Sequence, residues 1–424
     1  MPTRLFLASY CLLTCCRISG AAAPEVRTEV LKPTPIRVEI DGLPKPNAST
    51  SANQHPKLIP VPAEAMLNAP AGFKVNVLAE IPQARWLAIT PAGELLCVSS
   101  RTNTIYRLPD TNGDGVADKK ALFANEQDGL NLPFGMAFLK EGFYVGNTNG
   151  VIRFDYEKGQ QEITGKPQAI TDLPGQGYNQ HWTRNVIPAP DGSLFVSVGS
   201  ESNADVEEPP RASVLSVSAD GARKEVYASG LRNPVGLAIH PQTQQLYATV
   251  NERDELGDGL VPDYFTAVKK GAFYGWPYAY LRPTLLDPRH VKDGTSVRPE
   301  LADRTTTPDV LFEAHSAALG LAFYTAEPTA KSAFPERYRR GAFVAFRGSW
   351  NRSKGTGYKI VFVPFDEDGK PEGGYEDFVT GFLTDPAGPT TFGRPVGVAI
   401  LPDGSLAFTE EGNGRVYRVS YHKE

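Results

Sequence analysis

The chain has 424 residues, a formal net charge of −5 and no surplus of basic residues, which excludes a broad electrostatic surface for nucleic acid. Its 41% hydrophobic and 10% aromatic residues exclude a chain that is disordered throughout. The 40 glycines and 36 prolines are typical of many short strands joined by turns.

The first predicted element is an export signal over residues 1–23. Arg4 precedes a short apolar run, and small residues follow it up to Ala22 and Ala23, where we expect cleavage. The run is too short to span a membrane, so the sequence predicts an exported protein, periplasmic or secreted, without an integral membrane span. Cys15 offers an alternative as the attachment point of a lipoprotein anchor.

One cysteine, Cys97, remains after this signal. A lone thiol forms no internal disulfide, so the exported fold must be stabilised by its core. Cys97 stands in an apolar, strand-like run and is predicted to be a small buried side chain. The sequence contains no C-x-x-C-H motif, so no covalently attached c-type haem is expected.

Two regions follow the signal. Residues 24–70 are rich in Pro, Ala, Asn, Ser and charged side chains and are predicted to be a linker or a loosely held arm. Over residues 71–424 one pattern recurs: a strand, a turn that often contains Pro-Asp-Gly, and a second strand. Its copies occupy residues 86–100, 134–148, 184–200, 235–251, 319–351 and 396–412.

Strand repeats of roughly fifty residues predict an all-β fold, a six-bladed β-propeller. A small twisted sheet cannot bury both faces alone, whereas six sheets around an axis bury one another. Residues 73–81 are expected to pair with the C-terminal strands and close the ring. A long array of β-sandwiches is the alternative. Wider spacing of the later copies predicts long inserted loops at 252–318 and 351–393, which would build a binding site over the central channel.

His181, in "GYNQHWTRN", directly precedes the third copy of the repeat. It should therefore lie in the loop that enters an innermost strand, near the axis. An imidazole is suited to take a proton from a hydroxyl at neutral pH. The alternative is a histidine of a surface loop. His315 precedes an inner strand in the same way, whereas His240 is expected at a turn on the far side of its strand and is predicted to be structural.

Several cationic side chains occupy equivalent places before or near inner strands. Arg232 and Asn233 precede the fourth copy and should share a rim with His181. One arginine in such a place is usually solvated, but several on one rim indicate an anionic ligand with several carboxylates. The other predicted rim residues are Arg85, Arg184, Arg347 and Arg394.

The segment "NERDELGDG" combines acidic residues with glycines. Hard cations such as Ca²⁺ prefer oxygen ligands from flexible loops, including backbone carbonyls. The sequence therefore predicts a Ca²⁺ site at Glu252, Arg253 and Asp254, partly through backbone oxygens. An acidic, solvated loop is the alternative.

A second acidic segment, "DTNGDGVAD", matches positions 1, 3, 5 and 9 of a calcium loop. Those positions are Asp110, Asn112, Asp114 and Asp118. Ala121 stands where the bidentate glutamate belongs. We predict either a structural Ca²⁺ loop or a plain turn rich in Asp and Asn.

Aromatic residues also cluster in these loops, where they would stack on a planar cofactor or a sugar ring, or pack against sheet edges. They are Tyr178, Trp182, Tyr274, Trp276, Tyr278 and Trp350.

Taken together, these stretches resemble the soluble quinoprotein glucose/sorbosone dehydrogenases, six-bladed propellers that bind pyrroloquinoline quinone (PQQ) with Ca²⁺. The resemblance covers residues 71–421 and rests on "HWTRN" before "PAPDGSLFVSVG", "GLRNPVGLA", "NERDELGDG", "VKKGAFYGWP" and "RPVGVAILPDGSLAFTEEGNGRVYRV". It is greatest for the sorbosone dehydrogenase-like branch, judging by "AHSAALGLAFYTAE" and "FRGSWNRSKGTGYKIVFVPF".

The resemblance implies an enzyme that uses PQQ and Ca²⁺ to oxidise a sugar or a related alcohol or aldehyde, with an electron acceptor that remains unidentified. His181 matches the base that takes the hydroxyl proton while a hydride passes to the quinone. Arg232 and Asn233 match a pair that binds PQQ. Arg394 matches a further arginine that contacts the cofactor, with Arg347 as a cationic partner. Residues 252–254 match the segment that holds the active-site Ca²⁺.

Two other functions fit parts of the pattern. A metal-dependent lactonase on a similar propeller would need Asp, Glu and Asn ligands converging on the axis, which an arginine-rich rim disfavours. A non-catalytic propeller that binds a sugar or an anion would use the arginines without redox chemistry. No nucleophile elbow, Walker A loop, H-E-x-x-H or G-x-G-x-x-G after a strand occurs, so serine hydrolysis, phosphoryl transfer and nicotinamide binding lack support.

Overall fold

The computed structural model describes residues 26–140, 142–175 and 181–422. This part of the chain is built from strands, with one short α-helix at Pro299–Ala302. Single 3₁₀ turns occur at Ile40–Gly42, Ser100–Thr102, Glu126–Asp128, Pro288–His290 and Glu336–Tyr338. The predicted all-β class is confirmed.

Six antiparallel sheets of four or five strands succeed one another within the described residues. Sheet I comprises Ala84–Ile89, Leu95–Ser99, Thr104–Leu108 and Ala121–Ala124. Sheet II comprises Met136–Leu139, Gly142–Asn147, Gly150–Asp155 and Gln168–Asp172. Sheet III comprises Val186–Pro188, Leu194–Val198, Ser213–Val217 and Lys224–Ser229.

Sheet IV comprises Asn233–Ile239, Leu246–Asn251, Tyr264–Ala267 and Val310–Leu311. Sheet V comprises Ala318–Phe323, Gly341–Phe346, Lys359–Pro364, Tyr375–Val379 and the edge strand Pro35–Ile36. Sheet VI comprises Pro395–Ile400, Leu406–Glu410, Arg415–Tyr421 and Phe73–Glu80. Phe73–Glu80 pairs with Arg415–Tyr421, as the sequence predicts.

The sheets form a closed ring of contacts. The first strand of each sheet contacts the first strand of the next, and that of sheet VI contacts that of sheet I. Glycines allow this close approach: a methyl group at Gly236 would lie 2.3 Å from the carbonyl oxygen of Leu319, and one at Gly320 would lie 2.3 Å from that of Val396. The arrangement is β-propeller-like, and it brings the entry loops of the first strands together at the axis.

Burial follows from this packing of sheet on sheet. Leu95–Ser99 and Leu194–Val198 are buried along their whole length, because neighbouring sheets cover both of their faces. Cys97 is a fully buried core residue, as predicted, and burial raises the pKa of its thiol. The fold is therefore supported by apolar packing between sheets.

Residues 26–70, within the predicted arm, are paired with the rest of the molecule. Arg27–Leu31 pairs in parallel with Met66–Pro70. Lys57–Leu58 pairs in parallel with Thr390–Thr391, which is joined in turn to Leu383–Asp385. A separate hairpin, Val291–Lys292 and Thr295–Ser296, lies in the long insertion of sheet IV.

In the part of the chain that is described, no helix is both long and apolar enough to cross a membrane. The predicted signal over residues 1–23, with its alternative anchor Cys15, lies outside the described residues.

Candidate active site

A cavity of about 590 Å³ opens where the entry loops of the first strands meet, a volume suited to a small ligand or cofactor. Loops from sheets III to VI and residues of sheet I contribute to its wall. Its polar lining comprises His55, Arg85, His181, Arg232, Asn233, Asn251, Glu252, Asp254, Asp263, His315, Arg347 and Arg394. Most of the predicted rim residues are thus brought to one place.

His181 lies at the wall of this cavity, in a left-handed backbone conformation with φ of 51°. Its Nδ1 is 2.9 Å from the carbonyl oxygen of Ser200 and 3.0 Å from Ser200 Oγ, which itself donates to the carbonyl of Ser202. A carbonyl only accepts, so the proton resides on Nδ1 and the lone pair on Nε2. A methyl group at Gly199 would lie 2.7 Å from His181 Cβ, so glycine is needed beside this ring.

The protein environment favours the neutral form of this imidazole. Burial disfavours the charged ring, and the Arg232 guanidinium repels it, so the pKa of His181 lies well below its ordinary value of 6.5. The ring is therefore unprotonated at Nε2 at neutral pH. Chemically, His181 is equipped to accept a proton from a hydroxyl.

Arg232 is buried and fixed from several sides. Its guanidinium donates to the carbonyls of Asn203 and Glu252 at 3.0 and 2.6 Å. It also donates to Asn203 Oδ1 and to Asp254 Oδ2, at 3.0 and 3.1 Å. The carbonyl oxygen of Arg232 accepts a hydrogen bond from the Ser200 amide at 2.8 Å. Ser200 in turn contacts Nδ1 of His181, so Arg232 is linked to the base through Ser200. Arg232 therefore presents a positioned positive charge next to the base.

A second cationic group lies across the cavity. Arg85 and Arg347 both form ion pairs with Glu411. Arg394 donates to the carbonyls of Arg347 and Gly348. Burial opposes ionisation of Glu411, but the three arginines hold the pKa of that carboxyl well below its usual range. Burial and the neighbouring Arg347 lower the pKa of Arg394 to about 9. Three guanidinium groups thus share one carboxylate, leaving an excess of positive charge.

Arg184 corrects one prediction, because it does not line the cavity. It is fully buried, and its guanidinium donates to the carbonyls of His181, Thr183 and Pro174. Burial, with a smaller effect of Arg211, lowers its pKa to about 9. Arg184 holds the backbone of the His181 loop rather than reaching a ligand.

The predicted cation segment divides into two parts. Glu252 and Asp254 line the cavity, but Arg253 does not. Its Nη1 donates to both carboxylate oxygens of Asp287 at 2.9 Å. Arg253 is therefore a buried ion-pair residue whose side chain is turned away from the site, and a contribution of its backbone carbonyl to a Ca²⁺ site stays a prediction. Asp263, which the sequence analysis did not single out, joins the acidic lining.

These carboxylates are crowded and buried. Burial raises the pKa of Glu252 to about 7 and that of Asp263 to about 6. Asp263 accepts from the amides of Glu252 and Ala317 at 2.9 and 2.7 Å. Glu252 Oε1 has no hydrogen-bond partner among the described residues. A buried carboxylate oxygen without a donor is one that a cation would stabilise.

His315 lies behind this acidic wall. Its Nε2 contacts the carbonyl of Gly257 at 3.1 Å, and its Nδ1 is 3.5 Å from Asp254 Oδ1. Burial lowers the pKa of His315, but the contact with Asp254 outweighs it and the pKa is raised. His315 thus shares the rim with His181, as predicted, but as a partner of Asp254. His240 instead packs against Phe323 and Phe365, away from the cavity.

The loop of Asp110, Asn112, Asp114 and Asp118 lies apart from the cavity. Its side-chain oxygens accept from the loop's own amides: Asp110 from Gly113 and Gly115, Asn112 from Asp114, and Asp118 from Thr111. Across the described residues, no group of three or more His, Cys, Asp or Glu side chains is arranged to hold a metal ion. The loop has the geometry of an Asx-rich turn, and Ca²⁺ there stays a prediction.

The aromatic cluster is only partly a feature of the cavity. Trp182 and Trp350 line it, whereas Tyr274, Trp276 and Tyr278 are buried elsewhere, and Tyr178 lies outside the described residues. The sequence analysis did not identify His55 as a residue of the site, because it lies in the predicted arm. The one available clue was that histidine is rare in this chain, which has only six.

Comparison with known proteins places this chain in a family. A family model described as TrAA12-like matches residues 67–261 and 268–422. A protein of Borreliella burgdorferi without an assigned function is 26% identical over 370 residues, covering 84% of this chain and 91% of that protein. A pyrroloquinoline quinone-dependent pyranose dehydrogenase of Coprinopsis cinerea is 25% identical over 356 residues, covering 70% of this chain and 45% of the enzyme.

Solved structures agree in fold. A calcium structure of the family AA12 enzyme of Trichoderma reesei superposes with a TM-score of 0.70 at 18% identity, covering 87% of this chain and 99% of the other. The holo form of the PQQ domain of the C. cinerea pyranose dehydrogenase gives 0.68 at 18% identity, covering 86% and 100%. The expected relationship to PQQ-dependent sugar dehydrogenases is thereby confirmed, and the chain belongs to the TrAA12-like family.

Proposed function

We propose that this protein is an exported, PQQ- and Ca²⁺-dependent dehydrogenase that oxidises a sugar or a related alcohol or aldehyde. One observation carries the proposal: a neutral imidazole, fixed with its lone pair on Nε2, shares a cavity with guanidinium groups on two sides. We further propose that sheets I to VI are the six blades of a single propeller, with the site over its channel.

The lining of the cavity fits PQQ. PQQ is a planar tricarboxylate, and Arg85, Arg347 and Arg394 carry more positive charge than Glu411 balances. Asn233 Oδ1 is buried in the lining without a hydrogen-bond partner among the described residues. Trp182 adds a flat apolar surface. The arginines would hold the carboxylates, Asn233 Oδ1 would accept a hydrogen bond from a donor of the ligand, and Trp182 would lie along the ring plane.

The acidic side of the cavity fits Ca²⁺. Glu252 Oε1 lacks a donor, and Asp254 and Asp263 bring further negative charge. Oxygen ligands of this kind, completed by backbone carbonyls and water, suit a hard cation. When bound, PQQ would supply a quinone that accepts a hydride, and Ca²⁺ would polarise it.

His181, Ser200 and Asp254 account for the transfer of the substrate's hydroxyl proton. His181 Nε2 takes the proton of the substrate hydroxyl as the carbon–hydrogen bond is broken. Ser200 holds Nδ1–H, so the ring keeps its orientation when Nε2 becomes protonated. Asp254, paired with Arg232, stabilises the imidazolium through its charge. The proton then leaves through the open side of the cavity.

The test of this proposal is turnover after reconstitution. The full chain, incubated with PQQ and Ca²⁺, should reduce an artificial electron acceptor in the presence of an aldose. Omission of either PQQ or Ca²⁺ should abolish the reaction. Absence of turnover with a panel of aldoses and related alcohols, despite bound PQQ, would contradict the proposal and favour the non-catalytic binding propeller.

The pH profile gives an independent prediction. Only unprotonated His181 accepts a proton, and its pKa lies well below 6.5, so kcat/KM should stay level as the pH falls from 8 to 6.5 and decline only below that range. His422→Ala, at an exposed histidine away from the cavity, is the control and should keep the same acidic limb. An acidic limb centred above pH 6.5 in the parent and in this control would contradict the assignment of His181.

The rival lactonase finds less support. A metal-dependent lactonase would use the acidic residues of the cavity but would have no role for Arg85, Arg347 and Arg394, which line it as well. Guanidinium groups attract an anionic ligand, which the quinone cofactor supplies.

A further inference from the structure

Resting on the proposed function, we infer that His55 and Trp350 form a platform for a pyranose ring at the entrance of the cavity, with residues 47–58 as the wall that supports it. The platform would select sugars over small alcohols. It is separate from the cationic surface that binds the cofactor's carboxylates.

The two rings are stacked in parallel planes, so that Trp350 supports one face of the exposed His55 ring. Their centroids are 5.3 Å apart and their planes differ by 7°. Both residues line the cavity, with the imidazole of His55 exposed and Trp350 partly exposed. An exposed ring contributes little to the core, so its position over a cavity points to a ligand.

The position of His55 is built into the fold. The amide of Gln54 donates to the carbonyl of Trp350 at 2.7 Å, and Asn351 Nδ2 donates to the carbonyl of Ala52. Upstream, the amides of Gly257 and Asp258 donate to Ser51 Oγ and Ser49 Oγ at 3.0 and 2.8 Å. Residues 47–58 are thus bonded both to the loop after Asp254 and to the loop that carries Trp350.

Those two loops are also tied to each other. The amide of Glu255 donates to Asn351 Oδ1 at 2.8 Å, and the amide of Ser353 donates to Asp258 Oδ1 at 2.9 Å. The entrance is therefore a braced structure of three segments, which would present the ring pair in one orientation. Preorganisation of this kind lowers the entropy cost of binding.

The chemistry of the surface matches a sugar. A pyranose presents carbon–hydrogen bonds on its face and hydroxyl groups around its edge. The exposed face of the His55 ring, supported by Trp350, suits the carbon–hydrogen face of the sugar. A small alcohol would reach His181 without covering the ring pair, and it would gain nothing from the platform.

The first readout is direct binding, independent of turnover. Saturation-transfer NMR with D-glucose and D-galactose on the full chain, with and without PQQ and Ca²⁺, should show contact of the sugar's ring protons with the protein. His55→Ala and Trp350→Ala should weaken the sugar's affinity about tenfold, and His55→Phe should restore it because it keeps the flat ring. Lys158→Ala, at an exposed side chain that does not line the cavity, should bind as the parent does.

The second readout is the kinetic split. In the reconstituted enzyme, His55→Ala should raise KM about tenfold with kcat nearly unchanged, because binding lost equally from ground and transition states affects KM alone. Binding of neither sugar, or equal affinity in the two alanine variants and the parent, would overturn the platform even if turnover is observed. Sugar binding that depends on His55 without PQQ turnover would sustain the platform and contradict the dehydrogenase.

Discussion

Replacing His181 by alanine should lower kcat roughly a thousandfold, within the range typical of losing a general base. The reason is that the other histidines of the cavity among the described residues are placed differently: His315 is tied to Asp254 and Gly257, and His55 is stacked on Trp350. PQQ affinity should change little, because the imidazole is not among the cationic groups that would bind carboxylates. The measurement is kcat with saturating PQQ, Ca²⁺ and sugar.

Two further variants make this test specific. His181→Asn should be equally inactive yet well folded, because its side-chain amide can donate to the Ser200 carbonyl as Nδ1 does. His422→Ala, at an exposed histidine near the C-terminus, should turn over like the parent. Parental activity in His181→Ala would show that the proton leaves by another route.

Replacing Arg232 by alanine should destabilise the protein by about 3–5 kcal/mol of unfolding free energy, as expected when one partner of a buried ion pair is removed. The substitution leaves the partly buried Asp254 without its guanidinium and removes the donor that Arg232 supplies to the carbonyl of Glu252, whereas the carbonyl of Asn203 keeps Trp276 Nε1. Urea unfolding, followed by the fluorescence of the buried tryptophans, gives the value.

The matched control is Lys270→Ala, which removes an ion pair with Glu225 that is exposed on both sides. Its unfolding midpoint should not move measurably. A midpoint for Arg232→Ala that coincides with that of Lys270→Ala would mean that the Arg232 network carries no stability. Since Arg232 also helps to lower the pKa of His181, Arg232→Ala should shift the acidic limb of kcat/KM upwards wherever activity survives.

The sequence predicts those parts of the molecule that depend on local pattern. Strand repeats of roughly fifty residues indicate sheets packed around an axis, and in the structure Gly236 and Gly320 lie where neighbouring backbones approach each other. His181 and Arg232 each directly precede a first strand, so the closure of the ring brings them to one rim. Both inferences need only the order of elements along the chain.

A local sequence pattern does not predict contacts between distant segments of the chain. Arg184 and Arg232 stand in similar contexts, "TRN" and "LRN", before the first strands of sheets III and IV. The Arg184 guanidinium nonetheless donates hydrogen bonds to the carbonyls of its own loop and of Pro174, whereas that of Arg232 donates to Asn203 and Asp254.

The same reason explains Arg253 and His55. Asp287, which binds Arg253, lies within the long insertion of sheet IV, and Trp350, which stacks on His55, lies near the other end of the chain. Neither partner can be assigned from spacing, because the insertion and the N-terminal segment take their paths from tertiary contacts.

The most direct test of the central claim is a titration of the full chain with PQQ in the presence of Ca²⁺, followed by the absorbance of the cofactor. We predict saturable binding with one PQQ per chain, and binding at least tenfold weaker after Arg394→Ala, which removes a charge-assisted contact to a carboxylate. PQQ absorbance that does not change on addition of the protein, or equal affinity in Arg394→Ala and the parent, would contradict a quinone site among these arginines.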